Sequence, residues 1–462
     1  MNREQRYART RSGLLVPRPT RRGFLGGALG ALAVAGLPSL AGCGSSGGSG
    51  DRTSLTDWQA SSWESAEEME KWLRFTGEYF DAEQPDVDWN IDYGIPFNDY
   101  FPTLQTTIAG GGTLDMCWMH GRFVPQFAAA GLIEPLDDLI DSATPDGWPD
   151  EYFASQIEGF QFDGQQYGMP YDIVAGGMYV NVDWFDRAGV DLPTADWTLD
   201  DLLEAAITLK EAAPDPDNSW AMTLPVHTVQ MYWLVRSFGG DFFTDNGSTS
   251  HLADDGTIAA VQYLVDAMHK YRVMPTPGDL NTVDAGGAGD FALFGSERIA
   301  ILTQINDSAF VIDDFVQGKF AWTVAPTPRG PEGRFQQVGG SAFALPSTTR
   351  SAEVSFDVMK HLMANPDTLP EISRMGSLVP ARIGFGENAY PAEDVVPREA
   401  FDAAFFGPVE QDGVVLTFHE RYAEWEASVY SVKIDELWTG SRDDVPEVMR
   451  EIDEMTQDLI GS

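Results

Sequence analysis

Residues 115–136 read DMCWMHGRFVPQFAAAGLIEPL. The apolar run at 113–119 predicts a buried strand, and residues 122–132 predict a short helix that ends at Gly131. Strand and helix signals alternate in this way along the chain after residue 50. Such alternation indicates an α/β architecture, in which helices cover a sheet.

A second region gives the clearest helix signal. A helix is predicted over residues 198–213, where Thr198 and Asp201 have the spacing of a capping pair and leucines recur on one side. Pro214 stops this helix, because proline cannot donate the next backbone hydrogen bond. Further elements are predicted as strands at 54–60, 299–303, 321–325 and 341–345 and as helices at 65–80, 258–271 and 445–460.

The amino terminus has the order of a bacterial export signal. Seven arginines fall within residues 1–22 and end in the pair Arg21 and Arg22, and an apolar stretch at 23–40 follows. The paired arginines resemble a twin-arginine signal. Leu-Ala-Gly before Cys43 resembles a lipobox, in which the cysteine becomes lipidated.

We therefore predict that residues 1–42 are a signal peptide, that Cys43 carries lipid and that residues 43–51 form a flexible Gly/Ser tether. The alternative is an uncleaved transmembrane anchor, although five glycines in the apolar stretch weaken it as a spanning helix. Cys117 is the one other cysteine, so a lipidated Cys43 leaves no intramolecular disulfide. We expect Cys117 to be a small buried side chain, because it lies in an apolar run.

The charge of the chain limits its partners. The formal net charge is −42 at pH 7, and such a surface repels nucleic acid and anionic lipid. The acidic residues are scattered along the sequence, which is not typical of a disordered acidic tail. One interpretation is adaptation to high salt, which screens self-repulsion. The other is an acidic exported protein without a special habitat.

Several blocks of the sequence, taken together and in order, resemble one family. Two of them read DGQQYGMPYD at 163–172 and MYVNVDWF at 178–185. The others lie at 115–136, 186–209, 294–301, 325–328 and 339–344. The chain resembles the extracellular solute-binding proteins of ABC importers, the broad sugar-binding group that includes maltose-binding protein.

This resemblance implies a two-lobed α/β fold of the periplasmic-binding-protein type (type II), with a hinge between two sheet–helix lobes. The implied lobes are residues 52–172 plus 342–385 and residues 176–338 plus 390–462, with crossings near 172–177, near 340–345 and after about 382. Glycines at 176–177 and 339–340 suit such crossings, because glycine adopts backbone conformations that other residues avoid. Ordinary turn chemistry is the alternative reason for them.

The resemblance also implies a function. The protein would capture a sugar, either a mono- or oligosaccharide, or a polyol by closure of the lobes and deliver it to the permease subunits of an ABC importer. It would be a monomer without enzymatic activity, cofactor or metal, on the outer face of the cell membrane or in the periplasm. His120 is not expected to bind metal, because no second histidine or cysteine lies at ligand spacing.

A sugar site needs aromatic rings for the C–H faces and polar side chains for the hydroxyls. In open α/β sheets, ligands lie beyond the carboxyl ends of strands, so candidates are residues that follow strand-like runs or stand at the implied crossings. These are Trp63, Glu64, Trp118, Arg122, Tyr171, Asp172, Gln230, Trp233, Gly340, Ser341 and Arg382, with Tyr422 and Trp425 as further candidates. The alternative for each ring is core packing, and for Arg122 it is an ion pair with one of the many acids.

Two other classes of function stay open. One is a binder of a non-sugar solute such as a glycerol phosphate diester or a polyamine. Few cations near the predicted cleft disfavour phosphate, whereas an acidic cleft would favour a cation. The other is a surface-tethered carbohydrate-active enzyme. A Gly-x-Ser-x-Gly match at 44–48 does not support it, because no strand precedes the match.

Overall fold

The computed structural model describes residues 7–9, 15–17, 52–61, 75, 79–244, 247–283, 288–374, 379–385 and 396–461. The chain divides into two compact units, Met1–Gly50 and Asp51–Ser462. In the described residues, no helix has the length and apolar character needed to cross a membrane.

The first unit contains two short strands, β1 (Tyr7–Arg9) and β2 (Leu15–Pro17), which pair antiparallel. The predicted signal residues Arg21, Arg22 and Cys43 lie outside the described residues. The export signal, the lipidation site and the tether therefore stay predictions.

The second unit is built on two six-stranded sheets. Its strands are β3 (Thr53–Ser61), β4 (Val87–Pro96), β5 (Met116–His120), β6 (Ile133–Glu134), β7 (Gln161–Phe162), β8 (Gln165–Gln166), β9 (Gly168–Pro170), β10 (Val174–Asn181), β11 (Met222–Thr223), β12 (Phe243–Thr244), β13 (Thr249–Ser250), β14 (Ile301–Ile305), β15 (Trp322–Ala325), β16 (Gln336–Gly339), β17 (Ser341–Pro346) and β18 (Gly413–Val414). The first sheet has the order β4-β3-β5-β17-β6, and β9 also pairs with β17. The second has the order β11-β14-β10-β16-β18, and β15 also pairs with β10.

Helices surround both sheets. They are Asp81–Glu83, Phe97–Ala109, Val124–Ala129, Asp137–Ser142, Ala154–Glu158, Val182–Ala188, Leu199–Glu211, Thr228–Ser237, Asp255–Val265, Pro277–Val283, Gly289–Gly295, Ser308–Val316, Ala352–Met363, Leu369–Arg374, Arg398–Phe405, Val409–Asp412, Tyr422–Trp425, Ser431–Trp438 and Val445–Ile460. A 3₁₀ turn, Gly121–Phe123, and two π-helical turns, Asp266–Lys270 and Glu426–Tyr430, join or extend some of them. The predicted α/β architecture is confirmed.

Each sheet has apolar side chains on both faces. In β10, Met178 and Val180 join one buried cluster, whereas Tyr179 between them joins another. In β17, Phe343 and Ala344 divide between two clusters in the same way. Because successive side chains of a strand point to opposite faces, each sheet has a core on either side. This gives two layered bodies, each with its own hydrophobic core.

Several predicted elements are confirmed, and one is shorter than predicted. The helix predicted at 198–213 is Leu199–Glu211, and Thr198 and Asp201 form its capping box. The helix predicted at 122–132 is reduced to Val124–Ala129, because the 3₁₀ turn precedes it. Most of the helix predicted at 65–80 lies outside the described residues.

The role predicted for Gly177 is different in the structure. This glycine lies inside β10 rather than in a pliable crossing. A Cβ atom at this position would lie 2.5 Å from the ring of Phe405, so the missing side chain permits close packing. The crossing at this point of the chain is limited to residues 171–173, between β9 and β10.

Candidate functional site

The first sheet turns the ends of several strands toward one edge. Ser341 pairs with His120, and Ala342 pairs with Pro170, in antiparallel register. The carboxyl ends of β5 and β9 therefore lie beside the amino end of β17. The side chains that follow these strands meet at this edge.

The second sheet has the matching arrangement. Val174 at the start of β10 pairs with Gly339 at the end of β16, and Gly176 pairs with Ile305 at the end of β14. Strand β11 runs parallel to β14 and so ends at the same edge. Both sheets thus direct carboxyl ends toward the crossing segments, which is the usual position of a ligand crevice in open α/β sheets.

We define the first wall of this cleft as Trp118, His120 and Arg122. The backbone N–H of Arg122 donates to Nδ1 of His120 over 3.2 Å, so the proton of the neutral imidazole resides on Nε2. Burial, together with the charges of Arg122 and His227, lowers the pKa of His120 to about 3. The imidazole is therefore neutral at physiological pH and offers an N–H donor.

Aromatic rings shape the rest of the first wall. The Arg122 guanidinium lies over the rings of Phe123 and Phe97, at 4.9 and 5.4 Å from their centroids. The half-buried Trp118 ring lies 5.9 Å from Phe97 and 5.7 Å from Phe101, between centroids. A planar cation on aromatic faces and an indole at the edge of the core make a platform suited to a sugar ring.

We define the second wall as His227, Thr228, Tyr422 and Glu426. Oε1 of Glu426 accepts hydrogen bonds from Thr228 Oγ1 at 2.5 Å and from Tyr422 Oη at 2.9 Å, and His227 Nε2 lies 3.1 Å away. Thr228 begins the helix Thr228–Ser237, whereas Glu426 begins a π-helical turn. Turns of this kind often occur at functional sites.

His227 is reached by water and also has protein around it. Its side chain is 44% exposed to solvent, yet the protein around it lowers its pKa through desolvation. The Glu426 carboxylate opposes this shift, and Arg122 adds to it. Such an environment, partly open to water and partly enclosed by protein, is expected for a side chain in the wall of a cleft that closes.

The two walls lie close together. The turn Gly121–Phe123 contacts the helix Tyr422–Trp425. The Arg122 charge also acts on the pKa values of both His227 and Tyr422 across the gap. Next to this contact is a cavity of about 280 Å³, whose lining includes Gly121 and Phe162 on one side and Leu416 and Phe418 on the other.

The crossing segments are joined by hydrogen bonds through Asp172. Its Oδ1 accepts from the backbone N–H of Ser341 at 2.6 Å and from the Ser341 hydroxyl at 2.8 Å. Ile173 N–H donates to the carbonyl of Val379, which ties in the third crossing segment. Burial raises the pKa of Asp172 to about 6, and the Ser341 hydrogen bonds counteract this rise.

Gly340 fits this junction because it has no side chain. A Cβ atom there would lie 2.3 Å from the carbonyl oxygen of Asp172. Asp172, Gly340 and Ser341 were predicted as ligand residues. The structure places them at the junction between the sheets, where Asp172 and Ser341 use their polar atoms on each other. Their contact with a ligand stays a prediction.

The remaining predicted site residues differ in where the structure places them. Trp118 and Arg122 lie in the first wall, and Gln230 lies half-buried on the helix that follows His227. Tyr171 is 8% exposed and its ring packs against Phe343, at 5.3 Å between centroids. Trp63 and Glu64 lie outside the described residues.

Trp233 and Arg382 are placed away from the cleft surface. Trp233 is 1% exposed and belongs to the core of the second sheet. Arg382 is 6% exposed and pairs with Asp146 at 3.0 Å and with Glu151 at 2.5 Å. The burial of Trp233 in the core and the ion pairs of Arg382 favour structural roles, and their contact with a ligand stays a prediction.

Sequence reasoning missed His227, Thr228 and Glu426. Neither sequence segment has a motif that marks it as polar ligand-binding surface. The segment of His227 and Thr228 carried a weak signal, because it follows the end of strand β11 (Met222–Thr223). Glu426 gave none, because one acid among 71 aspartates and glutamates carries no distinction.

The fold and its layered sheets define a two-lobed α/β binding protein. Residues 62–366 match the family of bacterial extracellular solute-binding proteins, and the chain belongs to this family. An ABC substrate-binding protein from Listeria monocytogenes, solved in complex with cycloalternan, superposes with a TM-score of 0.75. It is 23% identical, and the match covers 89% of this chain and 100% of that one, which confirms the predicted fold.

Two curated relatives are similar in sequence. A binding protein from Brucella abortus (strain 2308) is 28% identical over 234 residues, which are 50% of this chain and 52% of that protein. The match thus spans about half of the Brucella protein's length. The arabinooligosaccharide-binding protein of Halalkalibacterium halodurans is 23% identical over 324 residues, which are 64% of this chain and 67% of that protein.

Proposed function

We propose that this protein captures a sugar, either a mono- or oligosaccharide, or a polyol in the cleft between the two walls and delivers it to the permease of an ABC importer. The observation that carries the proposal is the opposition of the walls. The turn that holds Arg122 contacts the helix Tyr422–Trp425, and the Arg122 charge acts on His227, whose Nε2 lies 3.1 Å from Glu426 Oε1. A solute held there contacts both lobes at once.

The chemistry of the walls suits hydroxylated rings. The Trp118 indole provides a flat apolar surface, and the Arg122 guanidinium and His120 Nε2 provide donors. The Glu426 carboxylate provides an acceptor. Oligosaccharides are also what the Listeria and Halalkalibacterium proteins bind according to their names. These likenesses support a carbohydrate without specifying which one.

Closure of the lobes is the proposed mechanism. A ligand that contacts both walls stabilises the closed form relative to the open one by its differential affinity for the two. The short crossings at 171–173 and at Gly340 connect the two sheets directly. The closed form would then present a surface to the permease.

Membrane attachment belongs to the same proposal. Residues 1–42 would direct export through the twin-arginine route, and lipidated Cys43 would anchor the body by the tether at 43–51. The protein would act as a lipid-anchored monomer on the outer face of the cell membrane or in the periplasm. A Cys43→Ser variant that is recovered in the soluble fraction, whereas the wild type is recovered with membranes, would support the anchor. Equal fractionation of the two would contradict it.

A thermal-shift screen tests the binding function. The purified protein is heated with mono- and oligosaccharides, polyols, polyamines and glycerol phosphate diesters in parallel. A ligand at about 100 times its Kd stabilises the folded state by about 2.7 kcal/mol, which gives a measurable rise in melting temperature. A carbohydrate or polyol should give the largest rise. A rise with polyamines alone, or with no sugar or polyol, would contradict the proposal.

A further inference from the structure

Arg122 has no carboxylate partner among the described residues, unlike nine other arginines. No described carboxylate pairs with it, and no described residue accepts a hydrogen bond from its guanidinium. Its Nε is inaccessible to solvent and has no hydrogen-bond partner. By contrast, carboxylates pair with Arg52, Arg187, Arg236, Arg334, Arg382, Arg398, Arg421, Arg442 and Arg450.

A missing carboxylate is not by itself unusual, since Arg272, Arg298, Arg329 and Arg350 have no described carboxylate partner either. Arg122 differs from them because it lies at the strand-end edge of the first sheet and its buried Nε has no acceptor. The two phenylalanine rings around the guanidinium remove water from its faces without supplying an acceptor. Arg122 is half-buried, and of its guanidinium nitrogens only Nε is enclosed without a partner. The two terminal nitrogens have no described acceptor, so an acceptor on the ligand can pair with them.

The first wall offers a second donor beside Arg122. Nδ1 of His120 already accepts the Arg122 backbone N–H, so Nε2 carries the hydrogen and no described residue accepts it. The nearby acceptor of the second wall, Glu426 Oε1, is engaged by Thr228 and Tyr422 and lies beside His227. The two walls thus differ. The first wall has donors, on Arg122 and His120, without described acceptors. The second wall has an acceptor, Glu426 Oε1, that already has donors around it.

We propose that the solute carries an oxyanion, either a carboxylate or a phosphate, that pairs with Arg122 and His120, in addition to hydroxyls that meet Glu426. This inference rests on the proposed function and refines its substrate class to acidic sugars or sugar phosphates. A guanidinium holds an oxyanion through two parallel hydrogen bonds. The acidic surface does not prevent this, because charges beyond about 8 Å are largely screened at physiological salt.

The test compares each acidic ligand with its neutral parent by calorimetric titration. The pairs are galacturonate with galactose, digalacturonate with a neutral disaccharide, and glucose 6-phosphate with glucose. The wild type should bind at least one acidic member about 10-fold or more tightly than its parent, as expected for a charge-assisted bidentate pair. The uronates and the phosphate separate the two sources of the oxyanion.

Variants locate the effect. Arg122→Gln should reduce the ratio of acid affinity to neutral-parent affinity by about 10-fold or more. The matched control is Arg298→Gln. Arg298 also lies over an aromatic ring, that of Trp220, at 5.5 Å, but it is at the amino ends of β11 and β14, opposite the cleft. Arg298→Gln should leave the affinities for the acid and for its neutral parent unchanged.

Each outcome decides the matter. Equal or tighter binding of the neutral parents by the wild type overturns the oxyanion and leaves the proposed function intact. If Arg122→Gln weakens binding of the acid and of its neutral parent by the same factor, the oxyanion is likewise overturned and the proposed function stays intact. If no sugar of either kind binds, the proposed function fails and this inference fails with it. If Arg122→Gln does not fold, Arg122→Lys keeps the charge without the planar fork, and the wild-type preference still decides.

Discussion

The two walls of the cleft are built in different ways. The first wall comes from one continuous segment, in which Trp118, His120 and Arg122 follow one another along the end of β5 and the turn after it. The second wall joins Thr228 to Glu426, which are 198 positions apart in the chain. A wall on one strand end is visible in a sequence, whereas a wall assembled from distant segments becomes visible only in the fold.

Trp233 in the second lobe is buried in the core, whereas Trp118 in the first lobe is only half-buried, so mutation of Trp233 should destabilise the fold most. Trp233→Ala should lower the free energy of unfolding by about 3–5 kcal/mol, because it empties a fully buried site in the core of the second lobe. Urea denaturation measures this, with Trp233→Phe as the milder control. A variant that keeps its stability but loses sugar binding would instead make Trp233 a ligand residue.

The second test addresses the assembled wall. Glu426→Gln should weaken binding of the solute by about 1.5–3 kcal/mol, because it removes the charge that orients Thr228, Tyr422 and His227. Calorimetric titration measures the change. The control is Glu424→Gln, since the exposed Glu424 pairs with Arg421 outside the network. Equal losses in both variants would show that the second wall is not specific to ligand.

The third test addresses the continuous wall. Trp118→Ala should weaken solute binding by about 1–3 kcal/mol if the indole stacks on a sugar ring. Its effect on unfolding should be smaller than that of Trp233→Ala, because Trp118 is only half-buried. Titration and urea denaturation of the same variant separate the two contributions. Unchanged affinity would remove Trp118 from the site.

These comparisons show where sequence reasoning reached its limit. The strand at 113–119, the capped helix and the α/β class followed from local patterns that the fold retains. The sequence could not show that Trp233 is buried, because the polar start of its helix hides which face is covered. In the helix Thr228–Ser237, Gln230 is partly exposed and Trp233 faces the core. Arg382 was equally ambiguous, since no pattern identifies Asp146 and Glu151 as its partners among so many acids.

The smallest expected effect concerns the first sheet beneath the cleft. Asp57 is fully buried in β3, and burial raises its pKa to about 7, against hydrogen bonds from Gln59 and Trp89. Between the unfolded pKa near 3.8 and the folded pKa, the native state holds a proton that the unfolded chain has released. Stability therefore falls as pH rises through this window, by up to about 1.4 kcal/mol per pH unit for one group.

Asp57→Asn removes this dependence. Between pH 5 and pH 6 the wild type should lose about 1 kcal/mol of unfolding free energy that the variant keeps. Urea denaturation at both pH values measures the difference. Asp88→Asn, an exposed carboxylate on the neighbouring strand β4, is the control and should behave as the wild type. Parallel pH profiles for Asp57→Asn and the wild type would show that Asp57 is ionised in the native state.

Hydrogen exchange tests most directly whether the solute binds between the two walls. The protein is compared with and without the carbohydrate or polyol that stabilises it most, and exchange is followed by peptide. If the solute contacts both walls, exchange should slow at 116–123 in the first wall and, at the same ligand concentration, at 225–231 and 422–430 in the second. Protection confined to one wall, or to neither, would contradict binding between the two walls.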